Sequence, residues 1–350
     1  MEEIQVITIV EGGLGNAGPK APLDICRILE EIGGVSSYAV SSEEGMDYPL
    51  YLKTLSRLRE VRKEGALVVL QYPFQPFRYH ENQQQFAELL KELDPCRTWI
   101  WIHDINQIRL PDRKCYDKEM DWLRPFRYFI VHNHRMEQYL RQYLNIEKCI
   151  CNEVFDYLCR DTFVGRHRQP PMERELEIVY AGNLVNSKSP FLYELSEEKM
   201  NFRMNVYGKR EALIKNKKVN YCGSFRADIL PDKIRGDLGL VWDGTVDAPS
   251  DTLPQRNYTR YNTPHKFSCY MAAGLPVIAW KDAAIADVIR KYQVGYLIEN
   301  IYEINHLDYS QYATFCENAK KLAVKVRGGW FAGRVFEAVR EMRVEGNVQF

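Results

Sequence analysis

The chain has 350 residues, of which 45% are hydrophobic and 27% charged. At about 150 residues per domain, this length predicts two domains, and the ordinary composition excludes a disordered or collagen-like chain. The 47 basic and 47 acidic side chains cancel, so the formal net charge is zero. No overall field therefore attracts nucleic acid or an acidic membrane, and a bound anion would need a local site.

Nine cysteines are scattered along the chain without a Cys-x-x-Cys pair, which argues against a disulfide framework or a zinc ribbon. The chain begins Met1-Glu2-Glu3, an acidic start that differs from the positively charged start of a signal peptide. No run approaches the roughly 18 apolar residues that a membrane span needs. We therefore expect a cytoplasmic protein.

In the first half, short apolar runs alternate with longer stretches whose apolar residues recur at helical spacing. This alternation is typical of βαβ units around a parallel sheet. A polar stretch with two prolines, residues 166–174, cannot continue a helix or a central strand and is the predicted linker. The predicted strands before it are Ile4–Val10, Ser36–Val40, Ala66–Leu70, Thr98–Ile102 and Tyr128–His132, and the predicted crossover helices are Pro22–Ile32 and Gln83–Leu93.

The same alternation restarts after the linker. The predicted strands there are Glu177–Ala181, Met204–Tyr207, Val219–Tyr221, Leu238–Trp242, Pro276–Trp280 and Gly295–Ile298. The predicted helices are Phe191–Leu195, His265–Ala273 and Tyr312–Arg343, the last as one or two helices interrupted at Gly328-Gly329. The fold class is therefore α/β with two doubly wound halves. Such sheets bind ligands at the carboxyl ends of their strands, so we expect function in a cleft between the halves.

The helix predicted at 265–273 has the sharpest boundaries in the chain. Thr263 is predicted as its N-cap and Pro264 as its first residue, where the missing N–H has no consequence. A helix N-terminus carries free N–H groups and the positive end of the dipole, and His265 and Lys266 add basic side chains there. The segment predicts an anion site; the alternative is a capped helix whose two basic residues face solvent.

A second loop of this kind follows the first strand of the second half. Gly182 permits close approach to the backbone, Lys188 adds a positive charge, and Ser189-Pro190 has the pattern of an N-cap followed by a first helical residue. Two basic helix starts in one half suit a diphosphate. An ordinary βα loop is the alternative.

Two further groups lie near these helix starts in the sequence. Asp243 ends another strand, and Tyr261 shortly precedes the 265–273 helix; such groups can stack on a base or bind sugar hydroxyls. No Asp-x-Asp occurs in the chain, which argues against a metal-bridged diphosphate site. Charge neutralisation would then fall to the basic residues of the two loops and to the helix dipoles.

The first strand is followed by a glycine-rich loop. Residues 13–18 match the G-x-G-x-x-G spacing of dinucleotide sites, but no acidic residue closes the next strand, so NAD binding is the weaker interpretation. A loop that leaves room for a sugar acceptor fits equally well. The candidate acceptor-binding residues are Gly13, Gly15, Asn16 and Lys20.

Two polar residues, His103 and Asp104, stand where an apolar strand ends. Either could act as a general base on a hydroxyl, although Asp104 could instead cap the following segment. The next strand ends at His132-Asn133-His134, which has no evident third ligand nearby, so no metal site is predicted.

Six motifs carry a family resemblance: Ile102–Asp104, Val131–Asn133, Phe155–Tyr157, Tyr180–Leu184, Val241–Gly244 and Pro264–Ile278. Together they resemble the bacterial β-1,6-galactofuranosyltransferases, a family that includes the glucosyltransferase acting on GlcNAc-modified serine-rich streptococcal adhesins. The resemblance implies a GT-B architecture, in which two Rossmann-like domains face one another across a cleft and the C-terminal helix crosses back to the N-terminal domain. It also implies a nucleotide-sugar donor in the C-terminal half, an acceptor in the N-terminal half and no required metal.

The resemblance also assigns residues to the donor. By carry-over of the motifs, a UDP diphosphate would be held by Asn183, Lys188, His265, Lys266 and Ser268, with Asp243 near the donor. Gly182 and Tyr261 complete the donor-binding candidates. The domains predicted on this basis are 1–165 for the acceptor, 172–326 for the nucleotide sugar, and 327–350 as the helix that returns to the first domain.

The leading hypothesis is an inverting, metal-independent glycosyltransferase without a cofactor. It would move a galactofuranosyl, glucosyl or galactosyl group from a UDP-sugar to a glycan hydroxyl during assembly of surface polysaccharide or glycoprotein. The acceptor would sit on a lipid carrier or a protein; nucleic acid is not an expected partner, and peripheral membrane contact and homo-oligomerisation stay open. The alternative is a catalytically inactive GT-B-like subunit or chaperone of another glycosyltransferase.

Overall fold

A computed structural model describes residues 4–11, 18–33, 35–42, 48–74, 83–110, 116–160, 174–210, 212–247 and 258–346. The chain divides into two compact units. One comprises Met1–Asp156 and Gly329–Phe350, and the other comprises Tyr157–Gly328. Each unit contains one six-stranded sheet whose described strand pairs are all parallel.

The first unit has the strand order β2-β1-β3-β4-β5-β6, so the direction of winding reverses between β1 and β3. Its strands are β1 (Ile4–Glu11), β2 (Val35–Ser42), β3 (Leu67–Tyr72), β4 (Thr98–Ile102), β5 (Tyr128–Val131) and β6 (Lys148–Cys151). Its helices up to this point are α1 (Lys20–Ile32), α2 (Tyr48–Glu64), α3 (Gln83–Lys91), α4 (Asn106–Arg109), α5 (Glu119–Leu123) and α6 (His134–Arg141).

The second unit has the order β12-β11-β10-β7-β8-β9, which is the strand order of a dinucleotide-binding Rossmann fold with its reversal between β7 and β10. Its strands are β7 (Leu176–Ala181), β8 (Phe202–Tyr207), β9 (Val219–Tyr221), β10 (Leu238–Val241), β11 (Val277–Trp280) and β12 (Gly295–Ile298). Its helices are α7 (Phe191–Glu194), α8 (Leu230–Lys233), α9 (His265–Ala272), α10 (Ile285–Tyr292) and α11 (Tyr312–Arg327).

The burial of the central strands shows that each sheet lies in the interior of its unit. Strands β3, β4, β10 and β11 are buried along their whole length. Parallel strands covered by helices on both faces have this uniform burial, and their sequences are apolar runs rather than alternating patterns.

A close contact between β10 and α9 positions the loops at the reversal point of the second sheet. A Cβ atom on Gly239 would lie 2.5 Å from the ring of Tyr270, so glycine is required for the helix to pack this closely. The Tyr270 hydroxyl accepts a hydrogen bond from the Ala181 N–H (2.8 Å) and donates one to the Leu240 carbonyl (3.1 Å). One buried tyrosine therefore ties the ends of β7 and β10 together.

The end of the chain forms α12 (Trp330–Gly346), which belongs to the first unit and packs on α1. Gly329, which precedes it, has a φ of 72°, and a Cβ there would lie 2.7 Å from the Ile28 side chain. The buried Asp156 carboxylate accepts hydrogen bonds from the N–H groups of Phe331 (3.2 Å) and Ala332 (2.6 Å). The C-terminal helix thus returns to the first unit, as the resemblance implied.

Among the described residues, α2 and α12 are the longest helices, with 17 residues each. A membrane-spanning helix needs about 20 predominantly apolar residues. No helix in the described part of the chain is long and apolar enough to cross a membrane.

The predicted elements are present, with boundaries that differ by at most three residues. The strand β6 and the helices α2, α4, α5, α6, α8 and α10 were not predicted. Two predicted helix caps were wrong. Helix α9 begins at His265 with Pro264, not Thr263, in the N-cap position, and α7 has Pro190 rather than Ser189 there. In neither helix does a side chain of the N-cap residue bond to the backbone.

We expect Gly239→Ala to destabilise the protein by about 1–3 kcal/mol, because the added methyl group overlaps a ring that the core cannot displace. Equilibrium urea unfolding measures the change. Gly333→Ala is the matched control: it lies inside α12, its Cβ would lie 3.4 Å from the end of the flexible Ile32 side chain, and alanine favours the helix. Equal unfolding free energies for wild type and Gly239→Ala would contradict the packing described.

Candidate functional site

The candidate site of the second unit lies where β7 and β10 end side by side. In doubly wound sheets the point at which the strand order reverses leaves a crevice outside the carboxyl ends of the strands. Gly182 directly follows β7, and Trp242 and Asp243 directly follow β10. The fold therefore brings together loops that are 60 residues apart in sequence.

Lys266 from α9 lies at the centre of this site. Its Nζ atom lies 2.8 Å from the Trp242 carbonyl oxygen, 2.8 Å from the Asp243 carboxylate and 3.2 Å from the Tyr180 hydroxyl. Burial alone would lower the pKa of Lys266, but Asp243 and Tyr180 raise it above its ordinary value. The site therefore holds a fixed positive charge beneath the two loops.

Asp243 is oriented by that lysine and remains accessible. Its side chain is 43% exposed, against 14% for Lys266, and its Oδ1 atom bonds to the ammonium group. The second carboxylate oxygen, Oδ2, can accept a hydrogen bond from a ligand hydroxyl. The pair thus presents an ordered acceptor to solvent.

Gly182 keeps the space next to Lys266 open. A Cβ there would lie 3.5 Å from the Tyr180 hydroxyl and 3.8 Å from the Lys266 ammonium. These are ordinary contact distances, so the absence of a side chain is not required by the fold at this position. The Gly182 N–H donates to the Tyr207 carbonyl (2.9 Å), which fixes the start of the loop.

Ser189 closes the loop that Gly182 opens. Its buried hydroxyl lies 2.6 Å from the Tyr180 hydroxyl and donates to the Asn183 carbonyl (2.7 Å). Because these bonds engage the hydroxyl, Ser189 does not cap α7, which has only four residues. The predicted Ser189 cap is therefore wrong, whereas the loop that leads from Gly182 to the start of α7 at Phe191 is present.

The first turn of α9 carries the other donor candidates. The His265 ring stacks on Tyr157, with centroids 4.7 Å apart and an angle of 25°, and the Tyr157 hydroxyl donates to the Ala227 carbonyl. Ser268 is fully buried, and its hydroxyl has no hydrogen-bond partner among the described residues. His265 is thus held in a defined orientation at the helix start.

The remaining donor candidates lie on the surrounding loops. Asn183 is exposed and its side-chain oxygen accepts from the Val185 N–H (3.1 Å); Lys188 is exposed, and Tyr261 is half-buried. The structure thus joins Gly182, Asp243 and Lys266 in one contact cluster.

A pocket beside Asp243 was not predicted from the sequence. It is open to solvent, and its walls include Trp242, Asn262 and Trp280. The buried side-chain oxygen of Asn262 has no hydrogen-bond partner among the described residues. Apolar walls with a few polar groups are typical of small-molecule sites. The lining residues are separated in the sequence, so no local sequence pattern could predict this pocket.

In the first unit, His103 follows β4 and is firmly held. Its Nε2 atom lies 2.8 Å from the Gln71 side-chain oxygen, and its ring stacks on Phe155 at 5.2 Å. The Gln71 amide nitrogen donates to the Pro22 carbonyl, so its oxygen faces His103 and assigns the imidazole proton to Nε2. His103 is thereby a positioned, half-buried imidazole.

Asp104 pairs with Arg109 and does not cap α4. The N–H groups at the start of α4 are instead bonded by the fully buried Glu119, which accepts from Asn106 (3.1 Å) and Gln107 (2.6 Å). Glu119 also accepts from the Tyr72 hydroxyl (2.7 Å). The capping alternative for Asp104 was wrong, and Glu119 was missed because it lies 13 residues after the helix start it caps.

The other sequence candidates of the first unit have different environments. Lys20 is buried and forms an ion pair with Asp24, one helical turn later. Gly13, Gly15 and Asn16 lie outside the described residues. The buried His132 lies 3.1 Å from the Ile102 carbonyl, and burial lowers its pKa to about 4, so it is a neutral core residue.

Two family models match most of the chain. The one described as "Glucosyltransferase 3-like, N-terminal domain" matches residues 4–153, and the one described as "Glucosyltransferase 3-like, C-terminal domain" matches residues 178–339. The chain belongs to the glucosyltransferase 3-like family. That membership places it among the glycosyltransferases and confirms the resemblance found in the motifs.

Two relatives differ in the sugar that their names carry. Beta-1,6-galactofuranosyltransferase WbbI of Escherichia coli (strain K12) is 33% identical over 218 residues, which are 60% of this chain and 62% of that protein. Glucosyltransferase 3 of Streptococcus gordonii is 26% identical over 286 residues, 79% of this chain and 80% of that protein. The chain therefore spans less than two thirds of the first relative's length.

Solved structures share the fold at low sequence identity. Sucrose-phosphate synthase from Thermosynechococcus elongatus has a TM-score of 0.63 at 12% identity, over 99% of this chain and 100% of that one. Anabaena HepE, in complex with UDP and glucose, has a TM-score of 0.58 at 12% identity, over 97% of this chain and 100% of that one. The two parallel six-stranded sheets and these likenesses confirm the predicted GT-B fold class.

Glu119 gives a pH-dependent prediction, because burial raises its pKa to about 7 despite its hydrogen bonds. The unfolded state therefore loses the proton first, and the contribution of Glu119 to the free energy of unfolding falls as pH rises from about 4.5 to 7. In urea unfolding at several pH values, we expect the difference between wild type and Glu119→Gln to change by up to about 1.4 kcal/mol per pH unit in that range.

Exposed Glu64→Gln, in the same unit, is the control for that series. A difference between wild type and Glu119→Gln that does not vary with pH would show that Glu119 does not titrate in this range.

Proposed function

We propose that the protein transfers a hexosyl group from a UDP-sugar to a glycan hydroxyl, by inversion and without a metal ion. The observation that carries the proposal is the buried Lys266 ammonium at the ends of β7 and β10, paired with the accessible Asp243. The family membership and the UDP in the related HepE structure support a nucleotide-sugar donor. The cytoplasmic location and the sugar itself stay predictions.

In this proposal, Lys266 and Asp243 act as a pair on the donor. The three contacts of the ammonium group occupy its three N–H bonds. A phosphate would therefore either displace one of these contacts or be attracted by the positive charge without a direct hydrogen bond. Asp243 keeps Oδ2 for a sugar hydroxyl, which is the contact that distinguishes one hexose from another. Lys266 would thus orient the sugar-binding carboxylate and stabilise the negative charge of the leaving UDP.

The remaining donor residues would surround the diphosphate. The start of α9 contributes N–H groups and the dipole, His265 adds a positioned ring, and Lys188 and Asn183 extend from the loop after β7. Gly182 and Tyr261 would line the same site, whereas the fully buried Ser268 would act from within α9. With Lys188, His265 and the positive end of the helix dipole at the site, the proposal assigns no metal ion to donor binding.

The first unit would supply the acceptor site and the base. A base removes the proton from the acceptor hydroxyl while its oxygen bonds to the anomeric carbon and the bond to the phosphate oxygen breaks, which releases UDP. Asp104, beside Arg109, and His103, held by Gln71, are the two candidates for this base. Lys20 is buried with Asp24 and would act by fixing the start of α1, which leaves direct acceptor contacts to Gly13, Gly15 and Asn16.

We expect Lys266→Ala to weaken UDP binding at least tenfold, a loss of about 1.4 kcal/mol, when it is measured by calorimetry. The variant should fold, because the Asp243 that it leaves behind is accessible to water. Lys281→Ala, which also removes one lysine from an ion pair in the second unit, is the matched control and should bind UDP like the wild type. Unchanged UDP affinity in Lys266→Ala would overturn the donor assignment.

We expect Asp104→Asn to lower the rate of UDP-sugar hydrolysis by about 10²–10⁴-fold, with the UDP affinity unchanged, because water replaces the acceptor in that reaction. His103→Gln tests the other candidate in the same assay. An undiminished rate in Asp104→Asn would reject this carboxylate as the base. No hydrolysis by the wild type with any UDP-sugar, despite UDP binding, would favour a catalytically inactive subunit.

A further inference from the structure

A cluster of three unlike ligand groups lies at the edge of the first sheet, between α6 and β6. Helix α6 starts directly after β5, with Asn133 as its N-cap, and β6 pairs with β5 so that Cys151 lies opposite Val131. The helix start and the strand end therefore meet at the same edge. His134 and Glu137 come from the helix, and Cys151 comes from the strand.

The cluster was not visible in the sequence, because the neighbouring histidines do not act together. His132 turns into the core toward the Ile102 carbonyl, whereas the side chain of His134 is 83% exposed. The third group lies 17 residues beyond His134 on a strand that was not predicted. The expectation that no third ligand lies near His134 was therefore wrong.

Two distances in the cluster are close to those around a tetrahedral zinc ion. Cys151 Sγ lies 3.6 Å from His134 Nδ1, and Glu137 Oε2 lies 3.1 Å from the same nitrogen. With Zn–S at about 2.3 Å and Zn–N and Zn–O at about 2.0–2.1 Å, tetrahedral angles place sulfur and nitrogen about 3.6 Å apart and nitrogen and oxygen about 3.3 Å apart. The three ligand atoms all lie within 4.8 Å of one another.

The contacts converge on one atom, which distinguishes this cluster from a nucleophilic relay. A thiol, imidazole and carboxylate that act in series use the two ring nitrogens of the histidine, one for each neighbour. Here both neighbours face Nδ1. When the imidazole proton is on Nε2, Nδ1 has a lone pair, as do the thiolate and the carboxylate, so a cation between the three groups would bond to all of them.

The surroundings leave one face of the cluster open. Arg141 binds Oε1 of Glu137, which leaves Oε2 directed at the cluster. Arg334 binds the backbone carbonyl of Cys151 and so fixes the end of β6. Because His134 is exposed, an ion can enter from solvent and keep water as a fourth ligand.

We propose that His134, Glu137 and Cys151 bind a divalent cation of the zinc class. A site with one nitrogen, one oxygen and one sulfur ligand selects such an ion over Mg²⁺ or Ca²⁺, which prefer oxygen ligands alone. The ion fastens the edge strand β6 to the start of α6 in the first unit. It is independent of the proposed donor site, all of whose residues lie in the second unit.

Cobalt titration of the purified full-length chain tests the proposal, because a tetrahedral Co²⁺–thiolate centre gives intense visible and charge-transfer absorption. We expect one Co²⁺ per chain, displaced by Zn²⁺, and loss of the charge-transfer band in Cys151→Ser. His134→Asn changes an exposed side chain, so it should fold, and we expect at least a tenfold weaker affinity for Co²⁺. Cys96→Ser removes an exposed thiol outside the cluster and should behave like the wild type.

Thermal unfolding gives a second readout that does not involve UDP or activity. Zn²⁺ should raise the melting temperature of wild type and Cys96→Ser, and not that of Cys151→Ser or His134→Asn. Absence of a charge-transfer band in the wild type, or an undiminished band in Cys151→Ser, would overturn the proposal and leave the proposed transferase function untouched.

Discussion

The contact between Lys266 and Asp243 is the interaction on which the account of the second unit depends. A buried ammonium group is stable only with well-placed partners, and here a carboxylate, a carbonyl and a tyrosine hydroxyl supply them. Those partners come from β7 and from the end of β10, whereas the lysine itself comes from α9. The positive charge is therefore stable only when β7, the end of β10 and α9 pack correctly around one crevice.

The packing of the backbone brings the residues of that contact together without any contribution from their charges. The reversal of strand order leaves the ends of β7 and β10 adjacent, and the missing side chain of Gly239 lets Tyr270 bind to both. Ser189 then closes the loop after β7 against Tyr180. Each of these groups is buried and uncharged, so the positions of the functional loops are determined by close packing and hydrogen bonds.

In the first unit, different contacts hold the residues that follow the central strand β4. There, the start of α4 is held by the buried Glu119, and His103 is held by Gln71 and Phe155, while Asp104 stays accessible beside Arg109. A candidate base needs this combination of fixed orientation and access to the substrate. Both units thus carry their candidate groups just after the carboxyl ends of central strands.

Apolar runs were sufficient to predict the parallel sheets, because buried central strands such as β4 and β11 consist of such runs. The strand β6, Lys-Cys-Ile-Cys, has only four residues and no such run, and so it was missed. Local rules for caps failed at Ser189, whose hydroxyl bonds to Tyr180 and Asn183 instead. Tertiary contacts such as those of Glu119 and Tyr270 join residues far apart in sequence, and no local pattern could predict them.

The motifs identified the family and predicted Gly182, Asp243 and Lys266 as donor-binding residues. The sequence alone could not show that Asp243 and Lys266 form an ion pair. The structure of a complex with UDP tests the central claim most directly. The account predicts the diphosphate at the start of α9, beside His265 and within the loops that follow β7 and β10. A diphosphate bound in the first unit, at the glycine-rich loop after β1, would contradict it.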